Sequence, residues 1–330
     1  MRAFFTLFFC AFVLSACTSK DITVSVDSGG MSSGVFTVAD DARKMINAQN
    51  LENGKCAMTF NALEPDYYQI QLSDNQSKVE YHEIYLEGGD YQIAFDKNVL
   101  DAYPEIKTAS EKQNDLSLFY KLRRETDSDL KALQAFQQQK KDSEIGLHMM
   151  EKMDLSVDPV AFTACFDKLP ADLKAGKHGK RMQDELTAML RVMPGKKGPG
   201  LVGNTPDGKP FTFTPSPKAR FIVLAFWKSA NAVSRNNNKV LSQIKKQYDD
   251  RVEVISVSSD SKPDWLKTAV KDDQMDWYNV SDLKGSESVN LANYHITVIP
   301  TYMLLKPDFT IIDPDASVTS LMGVIGQSLR

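Results

Sequence analysis

The stretch that most constrains this chain is residues 221–235, Phe-Ile-Val-Leu-Ala-Phe-Trp-Lys-Ser-Ala-Asn-Ala-Val-Ser-Arg. It opens as an unbroken apolar run, residues 221–227. A run of that kind suits a strand covered on both faces of a sheet. After a short break, Asn231 stands where a helix N-cap belongs, because its side chain can accept a bond from an otherwise unpaired helical N–H. Val240, Leu241, Ile244 and Tyr248 then recur at helical spacing, so a helix is predicted over 235–248. A further strand (252–258), helix (264–272) and strand (301–305) follow. This alternation implies a parallel core with right-handed crossovers. A buried strand feeding a helix N-terminus is where many α/β proteins carry their chemistry.

The same residues resemble the active-site segment of envelope thioredoxin-like proteins of the TlpA/ResA type. That family's pattern is a hydrophobic strand followed by Phe-Trp-Ala-Ser-Trp-Cys-x-x-Cys-Arg. Phe226, Trp227, Ser229 and Arg235 fall on matching positions. Asn231 and Ser234 stand where the two cysteines would be, Ala230 replaces the tryptophan before the first, and Ala225 stands where relatives often carry Asp or Asn. Ile299-Pro300-Thr301 resembles the family's second motif. The resemblance implies that Pro300 is cis and faces the helix that begins at Asn231. The Gly198-Pro199-Gly200-Leu201 and Asp207-Gly208-Lys209 segments resemble the start of such modules, and the likeness extends over residues 196–330.

The departures fall on the chemistry. Disulfide exchange needs a thiolate that attacks a sulfur and a second thiol that resolves the mixed disulfide. An amide cannot attack, and a serine hydroxyl needs a base to become a nucleophile. Asn231 therefore reads as a plain helix cap. Trp227, Asn231, Arg235, Ile299, Pro300 and Thr301 form a candidate groove that binds an extended peptide without reacting with it.

The N-terminus carries a separate signal. Arg2 precedes an apolar stretch, residues 3–14, that is too short for a stable membrane span. Leu14-Ser15-Ala16-Cys17 matches the bacterial lipoprotein box. The match implies cleavage before Cys17, lipidation of its thiol, and attachment to the outer membrane of a Gram-negative cell envelope, since Thr18 rather than Asp follows. Of the four cysteines, Cys10 leaves with the leader and Cys17 takes the lipid. Cys56 and Cys165 then remain in an oxidising compartment. They form one disulfide, or each is a small buried hydrophobe.

Between the anchor and the C-terminal module the pattern changes twice. Residues 17–103 alternate apolar and polar in short runs broken by turns such as Asn53-Gly54 and Glu87-Gly88-Gly89-Asp90, which reads as an antiparallel β sandwich or barrel. The segments 56–60 and 67–72 are expected to pair, as are 81–86 and 91–95. This region resembles the domain of unknown function that often precedes TlpA-type modules. Residues 104–195 favour helix, with Asp158-Pro159 as a helix start. Met182, Leu186, Met189, Leu190 and Met193 make an apolar stripe, either a core face or a binding face.

The predicted fold class is thus a C-terminal thioredoxin-like α/β fold, its mixed sheet flanked by helices, with an N-terminal antiparallel β domain and a helical linker. The boundaries are 1–16 for the signal peptide, 17–103, 104–195 and 196–330. A net charge of −4 with no long basic cluster argues against nucleic acid as partner. His82, His148, His178 and His295 are scattered, and no metal or cofactor is expected. Asp249-Asp250 and Asp272-Asp273 read as solvated charge. The function these residues point to is a lipid-anchored envelope protein with a redox-inactive thioredoxin-like domain that binds a peptide or protein partner. The alternative is a thiol-disulfide oxidoreductase using Cys56 and Cys165. A metal- or heme-handling role rests on fold analogy alone.

Overall fold

The computed structural model describes residues 21–329, apart from residues 62, 74–80, 97–98 and 100. Cys17 and the lipoprotein box lie outside the described residues. The chain divides into two compact units, Met1–Met153 and Asp154–Arg330. The helical section expected at 104–195 is therefore shared between them.

In the first unit the strands are β1 (Ile22–Asp27), β2 (Val35–Ala39), β3 (Met45–Asn50), β4 (Lys55–Phe60), β5 (Asp66–Ser73), β6 (His82–Leu86), β7 (Gly89–Ala94) and β8 (Glu105–Thr108). They form two four-stranded sheets, ordered β4-β1-β7-β8 and β3-β2-β5-β6. Every pair is antiparallel except β1 with β7. The period-two alternation sends Ile22, Val24, Tyr91 and Ile93 of one sheet and Phe36, Ile70, Leu72 and Ile84 of the other into a shared core. Each such side chain stabilises the fold by about 1.5–3 kcal/mol.

The expected strand pairings are corrected. β4 pairs with β1 rather than β5, and β6 and β7 lie in different sheets. At the Asn-Gly turn, Asn53 and Gly54 both take positive φ, 51° and 80°, as a tight primed turn requires. Only Glu52 and Lys55 bridge across it. The chain then passes to the other sheet, where more apolar surface is buried than a lone hairpin could cover. Glu105–Thr108, read from sequence as helical, is an edge strand against β7.

Three helices complete this unit: α1 (Glu111–Glu125), α2 (Asp129–Gln139) and α3 (Ile145–Met150). Ser110 and Ser128 cap the first two by accepting from the N–H groups of Gln113 and Lys131. Leu116 and Phe119 of α1 and Leu133 and Phe136 of α2 are fully buried.

The second unit begins with a 3-10 turn, Leu155–Val157, and the helices α4 (Pro159–Asp167), α5 (Ala171–Ala175) and α6 (Lys177–Arg191). Asp158 caps α4 through Ala161 N–H, with Pro159 in the first turn. Then come β9 (Phe221–Trp227), α7 (Ala232–Tyr248), β10 (Val252–Ser258), α8 (Pro263–Asp272), β11 (Tyr278–Val280), α9 (Val289–Asn293), β12 (Thr301–Leu305), β13 (Ile311–Asp313) and α10 (Val318–Ser328). The sheet order is β11-β10-β9-β12-β13. β9, β10 and β11 are parallel, whereas β12 and β13 are added antiparallel.

β9 is central, and both its faces are covered. Val223, Ala225 and Trp227 join one core with Leu241 and Ile244 of α7, while Ile222, Leu224 and Phe226 join another with Tyr294 and Met303. That two-sided burial is why the segment is apolar throughout instead of alternating.

Candidate functional site

The site is built where β9 ends and α7 begins. Asn231 has extended backbone and caps the helix, its Oδ1 accepting from Ser234 N–H at 2.9 Å. Its Nδ2 donates to the Ile299 carbonyl at 3.3 Å. Ser234 is fully buried, and its Oγ accepts from Lys228 N–H at 3.4 Å. Asn231 and Ser234 thus bring an amide and a hydroxyl whose polar atoms are used in bonds within the turn and to the Ile299 carbonyl.

A buried carboxylate fixes the turn from behind. Asp260 is 0% exposed and sits just past the end of β10. It accepts from Ser229 N–H at 3.2–3.3 Å, from Ser229 Oγ at 2.7 Å and from Ser258 Oγ at 2.7 Å. Three donors compensate most of what a buried carboxylate loses by leaving water. Sequence reasoning missed Asp260. The available signal was the polar Ser258-Ser259-Asp260 run that closes the strand Val252–Ser258.

Arg235 and Trp227 are placed differently from expectation. Arg235 grips Asp273 with two bonds of 2.6 and 2.8 Å, and Asn238 Nδ2 adds a third to the same carboxylate at 2.7 Å. Burial pushes the Asp273 carboxyl up, but the Arg235 and Asn238 bonds and the Arg235 charge outweigh it and hold the group below its ordinary range. The Asp273 hydrogen bond likewise raises Arg235. Asp273 is therefore not solvated charge but a half-buried, ion-paired anchor between α7 and α8, and Arg235 serves that anchor. Trp227, assigned from sequence to the groove, is 1% exposed and belongs to the core. A strand buried on both faces leaves no route for its indole to the surface.

The facing loop carries Pro300. The Ile299–Pro300 bond is cis. Ile299, Pro300 and Thr301 are half-buried, and Thr301 Oγ1 donates to the Val298 carbonyl at 2.7 Å. Among the described residues, the N–H groups of Thr297, Val298 and Ile299 bond to no other backbone group. Val298 is 67% exposed, and Val233, in the first turn of α7, 56%. The surface therefore offers unpaired backbone donors and exposed apolar side chains, without a thiol. These are the elements that pair with an extended chain.

The two cysteines among the described residues lie elsewhere. Cys56 is half-buried on β4, and Cys165 is buried on α4 between Phe162 and Phe166. Both are reduced. Burial pushes both thiols up, the direction opposite to that of a nucleophilic cysteine.

A second polar centre, unforeseen in the sequence, lies in the first unit. Glu83 of β6 is 4% exposed. It meets His148 Nε2 at 3.1 Å and Lys152 Nζ at 2.6 Å, and Tyr120 OH donates to it at 3.4 Å. Burial drives the Glu83 carboxyl up, but the bonds and charges of His148 and Lys152 bring it below its ordinary range. The Tyr67 ring stacks on His148 at 3.6 Å, and Tyr103 stacks on Tyr120 at 4.2 Å. His148, scattered in the sequence, is thus a docking residue for α3. Among the described residues no group of three or more His, Cys, Asp or Glu could hold a metal ion, and no helix is long and apolar enough to cross a membrane.

Residues 219–311 match a family model described as thioredoxin-like. No curated protein matches the chain. Among solved structures, a thiol-disulfide oxidoreductase from Bacteroides fragilis is 25% identical over 40% of this chain and 99% of its own, with a TM-score of 0.37. The thioredoxin domain of a thiol-disulfide oxidoreductase from Bacteroides vulgatus is 20% identical over 42% of this chain and 99% of its own, with a TM-score of 0.37. A thioredoxin-like protein from Parabacteroides distasonis is 22% identical over 41% of this chain and 96% of its own, with a TM-score of 0.35. The family match, on the sheet order and the cap geometry described above, identifies a thioredoxin-like domain within the second unit of this chain.

Proposed function

We propose that this chain is a lipid-anchored protein of the Gram-negative cell envelope, outer membrane in location, whose thioredoxin-like domain binds an extended peptide or protein segment and does not exchange disulfides. One observation carries the reading. The helix end that would activate a thiol holds Asn231 and Ser234, whose polar atoms bond within the turn and to the Ile299 carbonyl of the facing loop. With no sulfur at that end there is no thiolate to attack a disulfide and no second thiol to resolve the mixed disulfide. What remains is a backbone edge at residues 297–299 beside exposed apolar side chains.

Insulin reduction in the presence of a dithiol tests the redox half. The wild-type chain is expected to give no turnover above the dithiol alone. Turnover that disappears in Cys56→Ser or Cys165→Ser would establish the oxidoreductase alternative instead. The raised thiols of both residues oppose that alternative. The anchor is tested by mass spectrometry of the N-terminal peptide: a diacylglyceryl adduct on Cys17, absent in Cys17→Ala, is the expected result.

A further inference from the structure

The methionine stripe of α6 ends beside the cis-proline loop. Met189, Val192 and Met193 line a cleft of about 610 Å³ together with Ile296, Val298 and Met303. That volume falls within the ~300–1,000 Å³ of ordinary ligand sites. Met182 and Leu186, nearer the start of α6, are buried, whereas Met189 and Met193 stay half-exposed. The stripe is thus core at one end and open lining at the other. Methionine is unbranched and polarizable, so its surface adapts to apolar side chains of different shape. Val157, also lining the cleft, is 76% exposed, and exposed apolar residues around a cleft mark a binding surface.

The charge of the lining is one-sided. Asp154, Asp158, Glu185 and Asp315 all line the cleft, and no lysine or arginine does. Four carboxylates around an apolar floor repel an acidic ligand and attract cations. The cleft also includes Thr297 and Val298, whose N–H groups are the unpaired donors of the groove.

We propose that this cleft receives an apolar side chain from a partner protein's extended segment in which lysine or arginine flanks that side chain. The backbone of the segment runs along residues 297–299, and its cations face the four carboxylates. The path of the backbone rests on the groove reading given above, while the chemistry of the partner rests on the lining of the cleft alone. An acidic chain such as a second copy of this protein, with its net charge of −4, fits this lining poorly.

Fluorescence anisotropy of the full chain with two short labelled peptides tests the assignment. One peptide alternates leucine with lysine and the other leucine with glutamate. The lysine peptide is expected to bind about tenfold more tightly or better at low salt, and the preference to shrink as salt is raised. The double variant E185K/D315K is expected to reverse the preference. If melting reveals that this variant is misfolded, E185Q/D315N serves instead and should reduce the preference about threefold. Equal binding of both peptides, or a preference that survives these variants, overturns the inference. Asn231→Trp separates the two readings. Loss of all binding in that variant, with no effect of the carboxylate changes, keeps the groove and removes the charged cleft. Binding that responds to the carboxylates but not to Asn231→Trp keeps the cleft chemistry and removes the groove. Absence of binding by either peptide overturns both.

Discussion

The Glu83 centre of the first unit and the Asn231 turn of the second both put polar groups where strands meet helices. At Glu83 the carboxylate is ringed by His148, Lys152 and Tyr120, and Tyr67 stacks over the His148 ring. At Asn231 the carboxylates are also satisfied, buried Asp260 by two serines and half-buried Asp273 by Arg235 and Asn238. The difference lies in front of them. Beyond Asn231 the loop at residues 297–299 keeps backbone donors unpaired and a valine exposed. A closed network fixes helices to a sheet. A closed network behind an open backbone edge fixes a surface that something else can complete.

The largest effect that would test this contrast is at Glu83. Glu83→Ala should destabilise the first unit by about 3 kcal/mol, because Lys152 and His148 lose a nearly buried counter-charge. Urea unfolding followed by Tyr fluorescence measures it, and peptide binding by the second unit should be unchanged. Acid acts in the same direction. The Glu83 carboxyl is held below its ordinary range in the fold. Its contribution is therefore complete above the unfolded-state value of about 4.3, and is lost as pH falls through the lower folded value. The wild type should lose stability steeply on acidification in that window, and Glu83→Gln less steeply.

Next in size is Asp260→Ala. It leaves Ser229 N–H and two hydroxyls without their acceptor and should destabilise the second unit by about 2 kcal/mol. Because the same bonds hold residues 228–230, it should also weaken peptide binding, which Glu83→Ala does not. Equal effects of the two variants on binding would erase the distinction drawn here. Asn231→Ala removes a helix cap and should lower the melting midpoint by an amount equivalent to about 1 kcal/mol.

The smallest effect has the opposite sign. Tyr67 OH is buried and makes no hydrogen bond among the described residues. Tyr67→Phe keeps the ring stacked on His148 and removes an unpaired hydroxyl, so stability should stay level or rise by up to about 1 kcal/mol. A clear loss would mean that the hydroxyl has a partner in solution.

Local sequence carried much of this. The apolar run at 221–227, the Asn231 cap and the Asp158-Pro159 start all depend on neighbours within a few residues. Pairing partners in the first unit were not legible. Antiparallel strands adjacent in sequence look like hairpins, yet β4 joins β1 and β6 and β7 separate into two sheets. That choice is made by total apolar burial between sheets, which no single turn records. Cys56 and Cys165 could be read as a pair or as core, and burial with raised thiols favours core.

The residues alone determined that a strand–helix junction of thioredoxin type would lack sulfur at its reactive end, because nucleophile identity is a property of side chains in order along the chain. Only the tertiary structure decided which polar groups would be used up. Arg235 was drawn to Asp273, 38 positions away, Trp227 was sealed in the core, and α6 delivered an acidic, methionine-lined cleft to the loop before Pro300. Charges and cavities are set by distances through space, and those exist only once the sheet has brought its strands together.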